Sequence, residues 1–182
     1  GYHPGMYQAG FFPIMMFGLP AGAFAIYKNA RPERKKAIGS LMLAAGIAAF
    51  FTGVTEPLEF SFMFVAFPLY VVHAVLTGLS VAIAAAMGWT SGFNFSAGLV
   101  DFGLGWPLAT KPYMLIVQGL VFAVIYYFVF DFAIRKFNLM TPGREAEEAA
   151  VADEAPAAGE DKYITMASRI YAALGGASNV KS

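Results

Sequence analysis

Gly53-Val54-Thr55-Glu56-Pro57-Leu58-Glu59-Phe60 places two carboxylates and a proline between runs that are otherwise almost wholly apolar. No Lys or Arg occurs between Lys36 and Lys111, and that span holds only three acids: Glu56, Glu59 and Asp101. A carboxylate with no basic neighbour along the chain is costly at membrane depth and marks a functional site by default. Thr-Glu-Pro is also a poor helix interior, because proline lacks the backbone donor that a helix uses. Irregular backbone at that depth needs protein or water around it.

The composition agrees with a membrane setting. The 182 residues are 58% hydrophobic and 13% charged, with 18 Phe and 9 Tyr, whereas ordinary soluble domains carry roughly 25% charged residues. There is no cysteine, which excludes disulfides, Cys-ligated metals and thiol chemistry within this chain. No residue pattern asks for a cofactor or a metal. The net charge of zero conceals an asymmetry. Residues 1–144 hold nine Lys/Arg against five Asp/Glu, and residues 145–182 hold three against seven. A basic-edged apolar block is thus joined to an acidic tail. The chain opens with Gly1-Tyr2-His3-Pro4, without the layout of a signal peptide, and is expected to be a piece of a longer protein.

Outward from the motif, the apolar runs predict spans. Phe11 to Tyr27 approaches the roughly 20 residues that a crossing needs, and Phe17-Gly18-Leu19-Pro20-Ala21-Gly22 interrupts it. That interruption fits either a kinked, tightly packed helix or a broken helix lining a cavity. Lys28 to Lys36 (KNARPERKK) holds five basic residues and one acid, which places the loop in the cytoplasm. Ala37 to Phe51 is rich in Ala and Gly, as suits close helix packing. Phe60 to Trp89 is too long for one upright helix, with breaks expected at Pro68 and Gly78. His73 lies in this run and reads as a helix-packing histidine. Gly92 to Trp106 (GFNFSAGLVDFGLGW) suggests a re-entrant loop or short helix. Tyr113 to Ile134 is the clearest span and ends in Arg135-Lys136, with Asp131 spaced to pair with Arg135. With Lys36 inside and Lys111 outside, an odd number of crossings must separate them, although two apolar runs are evident. Either the 92–106 segment crosses, or the region around Glu56 dips in and returns; the re-entrant hairpin is the favoured reading, because Thr-Glu-Pro is a poor helix interior.

The expected fold class is therefore an all-α integral membrane protein. Several transmembrane helices and a re-entrant hairpin would be followed by a disordered acidic linker and a short helix. Residues 145–161 (EAEEAAVADEAPAAGED) carry no base and no aromatic residue, the composition of a solvated linker. From Tyr163, Ile164, Ala167, Tyr171 and Leu174 recur at helical spacing, and Gly175-Gly176 follows as a stop.

These segments together resemble a known family. GVTEPLEF followed by SFMFVA resembles the signature of the enzyme IIC component of the sugar phosphotransferase system, glucose/N-acetylglucosamine type. FFPIMMFGLPAGAFAIY looks like a helix of its C-terminal half. RKFNLMTPGRE looks like the junction to a IIB domain, and YAALGGASNV like that domain's opening helix. FFPIMMFGLP, FNFSAG and IRKFNLMTPGRE look closer to N-acetylglucosamine permeases, whereas Ser61 leans toward the glucose ones.

The resemblance implies three parts: 1–140 as the C-terminal part of a IIC transport domain, 141–162 as a flexible linker, and 163–182 as the start of a IIB domain. It implies import of N-acetylglucosamine, or alternatively glucose, with phosphorylation at C6 in a bacterial plasma membrane, the linker and C-terminus being cytoplasmic. A facilitator or sensor on the same scaffold is the reading from another class. An ion-coupled transporter with Glu56 as proton carrier would leave the basic junction and tail without a purpose. The implied partners are the sugar, a phosphorylated IIB, indirectly IIA and HPr, membrane lipid, and a second copy in a homodimer; nucleic acid is not among them. The resemblance makes Glu56 a ligand for sugar hydroxyls, with Gly53 and Thr55 shaping the turn and Pro57 stiffening it. Glu59 has the weaker claim and is as well explained as a structural partner. Phe11, Phe12, Phe93 and Phe95 are candidates for sugar stacking or for packing. The family's His-His-x-x-Asn motif is expected upstream of residue 1 and the IIB cysteine beyond Ser182. This chain alone would then hold no catalytic residue and no activity.

Overall fold

Four helices long and apolar enough to cross a membrane occur among the described residues, joined by shorter helices and no strand. They belong to a computed structural model that describes residues 5–145 and Tyr171. Helix α1 is Phe11–Asn29, continuous through its Gly/Pro interruption. Ile14–Gly18 widens into a π-turn, so the helix passes Pro20, which cannot donate to the preceding turn, without breaking. A 3₁₀ turn at Pro32–Arg34 leads into α2, Lys35–Thr52. Next come α3, Glu56–Met63, and α4, Phe67–Ala86. A short α5, Leu99–Gly105, precedes α6, Tyr113–Lys136.

Contacts along the helices give their directions. A Cβ on Gly18 would lie 2.9 Å from the Tyr126 ring and one on Gly22 would lie 2.9 Å from Phe130, so α1 and α6 run parallel at the close spacing that small residues allow. Phe17 meets Phe50, and Gly39 faces Tyr27, so α2 is antiparallel to α1. His73 meets Tyr126, and Ser80 meets Gln118, so α4 is antiparallel to α6 and runs the same way as α2. Two consecutive long helices with one direction require the chain to travel back between them. Residues 53–66 make that return: Gly53 abuts the loop at Ala97, whereas Phe62 packs edge-on to Phe130 at 5.6 Å. α3 and α4 are therefore the two arms of the expected hairpin, which re-enters toward the basic end of the bundle.

The position of the break differs from expectation. Pro68 lies in the first turn of α4, where its missing N–H is harmless. Gly78 lies inside that helix with open space beside it. The chain turns at Phe64–Ala66 instead, where burial of Phe62, Ala66 and Leu69 against the core outweighs the turn preferences of local sequence. The Gly92–Trp106 segment is a loop carrying α5. Its ends meet at an isolated bridge between Thr90 and Thr110, so it returns to the level from which it left.

The outward face of α6 carries exposed Val117, Val121, Val124, Phe128 and Phe132. Its inward face carries buried Phe122, Tyr126 and Phe130. Apolar residues on both faces fit a helix packed on protein on one side and lipid on the other.

At the basic end, Arg135 pairs with Asp131 at 3.0 Å and also donates to Asn29 at 3.1 Å. Thr141–Glu145, expected to open the linker, folds back here: the Arg31 N–H donates to the Gly143 carbonyl, and Arg34 meets Glu145 at 3.2 Å. The first compact unit ends at Glu145. The rest of the expected linker, and the helix expected from Tyr163 apart from Tyr171, lie outside the described residues.

Candidate functional site

The Glu56 turn is assembled from two chain segments that meet main chain to main chain. α2 ends at Gly53, whose φ of 73° is the left-handed conformation that glycine tolerates best. A Cβ there would lie 2.7 Å from the backbone nitrogens of Ala97 and Gly98. A Cβ on Gly98 would lie 2.3 Å from the Gly53 nitrogen. Both positions thus need glycine for close approach. The Ser96 hydroxyl donates to the Gly53 carbonyl at 2.7 Å.

Asp101, in the first turn of α5, shapes the opposing loop. Its carboxylate accepts the backbone N–H groups of Ser96 at 2.9 Å, Phe95 at 3.2 Å and, at the limit of range, Asn94 at 3.5 Å. Three converging donors make a charged acceptor the natural solution. The loop leaves Asn94 and Phe95 exposed, and Phe93 packs edge-on to Phe12 at 5.8 Å. Of the four phenylalanines expected to stack or pack, Phe11, Phe12 and Phe93 are in contact with one another through Phe93. Phe95 points outward at 75% exposure.

Beyond Gly53, Thr55 caps α3 and its carbonyl accepts the N–H groups of Leu58 and Glu59. Pro57 follows in the first turn, where no donor is needed. Glu56 is exposed, with no hydrogen-bond or ion-pair partner among the described residues. Glu59 points the other way: its carboxylate accepts the Thr55 hydroxyl at 2.7 Å and faces His73 Nε2 at 3.7 Å. The motif therefore divides its acids, one toward open space and one toward the bundle.

Comparison with known proteins places the chain in a family. The family model described as Phosphotransferase system, EIIC matches residues 1–78. A protein of Streptomyces coelicolor described as "PTS system N-acetylglucosamine-specific EIIC component" is 62% identical over 144 residues, which is 79% of this chain and 35% of that protein. The chain belongs to the phosphotransferase-system EIIC family. It spans about a third of the length of the curated relative it matches.

EIIC proteins are membrane proteins that take part in a phosphotransferase system, and the four apolar helices fit that setting. Two features of this EIIC chain escaped sequence reasoning. Asp101 was evident as a lone acid, but its backbone partners required the loop. His73 packs between helices as expected, and its Nδ1 also sits 2.8 Å from the Tyr126 hydroxyl. That partner is 53 residues away, and the lone Tyr–His pairing has no spacing signal. A cavity of about 700 Å³ between α1 and α2, lined by residues such as Phe24, Met42, Leu43 and Phe50, includes none of the motif residues. Its apolar walls do not suit a polyhydroxylated ligand.

Proposed function

We propose that this chain supplies the sugar-recognising hairpin of a phosphotransferase-system importer, and that N-acetylglucosamine is the sugar. The observation that carries the reading is the outward Glu56 carboxylate, which has no partner among the described residues and stands on a turn made rigid by Gly53, Pro57 and the docked loop. A fixed carboxylate acceptor orients hydroxyl groups through bonds of above-average strength. Glu56 holds the sugar near its C6 end. Thr55, Gly53 and Pro57 set the turn, and Glu59 supports it. The C6 oxygen takes a phosphoryl group from a phosphocysteine on a IIB partner charged through IIA and HPr; the S–P bond breaks as the O–P bond forms and the hydroxyl gives up its proton. The choice of N-acetylglucosamine over glucose is supported by the substrate named in the 62% identical relative.

In the same reading residues 1–140 belong to the transport domain, 141–162 to a linker and 163–182 to the start of a IIB domain. The basic end faces the cytoplasm, by the excess of Lys and Arg at Lys28–Lys36 and Arg135–Lys136.

The test is Glu56→Gln in the intact protein, with phosphorylation of N-acetylglucosamine and glucose measured against a phosphorylated IIB partner. Loss of a charged hydrogen bond predicts a fall of about 10- to 100-fold in kcat/KM, with membrane insertion preserved. Wild-type rates in that variant would sink the assignment, and a preference for glucose would redirect the substrate. Sugar equilibration without phosphorylation would favour a facilitator.

A further inference from the structure

One buried polar chain connects the Glu56 turn to the most tightly held part of the bundle. It begins at Tyr126, fully buried, whose ring lies against Gly18 and Gly22 where no Cβ has room. The Tyr126 hydroxyl lies 2.8 Å from His73 Nδ1 and 3.4 Å from the His73 carbonyl. The other ring nitrogen faces Glu59 Oε1 at 3.7 Å, beyond a hydrogen bond but within ion-pair range. That same oxygen accepts the Thr55 hydroxyl at 2.7 Å. Thr55 immediately precedes Glu56. Thr55 and His73 are 4% and 7% exposed, so water offers these groups little competition.

We infer that Glu59, His73 and Tyr126 are positioning residues, which hold Thr55 and through it the Glu56 carboxylate in register with the sugar. The inference rests on Glu56 as the sugar ligand. Packing alone does not account for the chain. Phe62 against Phe130 already fastens the hairpin to α6, and an apolar pair could fill the place of His73 and Tyr126 without burying ionisable groups in the bundle. A directional polar link adds what packing lacks: it fixes the rotation of the Thr55 side chain, because the hydroxyl has one proton to donate and Glu59 takes it. It also ties the turn to the α1–α6 pair rather than to the hairpin's own apolar arms. Two hydrogen bonds, Tyr126–His73 and Thr55–Glu59, flank a polar contact of 3.7 Å between His73 and Glu59, and polar groups coupled in this way lose most of their effect together when one member is removed.

The experiment uses the intact protein with N-acetylglucosamine as probe and a phosphorylated IIB partner, and compares kcat and KM. Tyr126→Phe keeps the ring and removes the hydroxyl. It is expected to lower kcat about tenfold with a smaller change in KM, the value of one network hydrogen bond. Thr55→Val and Thr55→Ser separate positioning from packing. Valine matches threonine in shape and serine keeps only the hydroxyl, so the chain predicts that serine is the faster variant and packing predicts valine. The double variant Tyr126→Phe/Thr55→Val should lose about as much as one single variant, whereas independent effects multiply to about 100-fold. A wild-type kcat for Tyr126→Phe, a valine variant faster than the serine one, or multiplying effects each overturn the inference. Glu56→Gln is run alongside: normal kcat there defeats the sugar-ligand reading itself, whereas a damaged Glu56→Gln with a normal Tyr126→Phe defeats only the positioning chain.

Discussion

Replacing Gly98 by alanine probes how closely the loop before α5 must sit on the Glu56 turn. Gly98 has φ −107° and ψ 176°, a conformation alanine adopts freely, so backbone strain plays no part. The added Cβ would lie 2.3 Å from the Gly53 nitrogen, 2.4 Å from the Thr52 carbonyl carbon and 2.7 Å from the Phe51 oxygen. All three are main-chain atoms, and none can rotate aside. Ordinary contact begins near 3.4 Å, so the two segments must part by roughly 1 Å. The Ser96–Gly53 hydrogen bond, 2.7 Å long, then leaves good range and forfeits about 1 kcal/mol. Overpacking adds about 1–3 kcal/mol, for a total destabilisation of about 2–4 kcal/mol. Misplacement of a site by about 1 Å lowers rates up to about 100-fold. The assay pairs the melting temperature of the purified intact protein in detergent with its sugar-phosphorylation rate, using Gly103→Ala as control. Gly103 lies in α5 with open space where its Cβ would go, and alanine's helix preference there is worth about 1 kcal/mol in the stabilising direction. A Gly98→Ala variant that melts and turns over like the wild type would show that the loop need not sit this close to the Glu56 turn.

Asp101→Ala leaves the N–H groups of Asn94, Phe95 and Ser96 without their acceptor. A loss of about 2–4 kcal/mol is expected, read as faster proteolysis near Phe95, and an unchanged cleavage rate counts against the loop's dependence on this carboxylate. Because this chain has no cysteine, single cysteines can report sidedness with a membrane-impermeant thiol reagent in a background cleared of other thiols. Met87→Cys and Phe95→Cys should label from one side, and Lys36→Cys and Phe137→Cys from the other; labelling of Met87→Cys with the Lys36→Cys group would mean that α4 makes a full crossing. Arg144 donates to the Leu139 carbonyl and the Asn138 side chain. Arg144→Ala should raise amide hydrogen exchange over residues 138–145 severalfold, and unchanged protection there would show that the segment holds without it.

The spans and the hairpin were legible because hydropathy and charge act over long stretches. A 74-residue interval without a base, bounded by Lys36 and Lys111, constrains parity whatever the local turns do. The place where the hairpin turns was not legible. Phe64-Val65-Ala66 carries no glycine, proline or polar residue, and the reversal there follows from burying Phe62 and Leu69 against residues far along the chain. Glu56 stood out in the sequence because its charge had no neighbour to explain it. Glu59 was ambiguous for the same reason, and only its contacts with Thr55 and His73 separate the two acids. Asp101 and Tyr126 act through partners that sequence spacing does not reveal, one set by a loop's shape and the other by helix packing.

The re-entrant hairpin has a consequence for the order in which the protein is made. Phe62, His73 and Ser80 find their partners in Phe130, Tyr126 and Gln118, which leave the ribosome several dozen residues later. Until α6 arrives, Glu59 and His73 would enter lipid with nothing but each other and Thr55 to satisfy them, an arrangement the bilayer resists. α1 and α2 can pair as soon as they emerge, through Phe17–Phe50 and Tyr27 over Gly39. The segment that carries Glu56 is therefore seated only after α6 has been made, later than the α1–α2 pair.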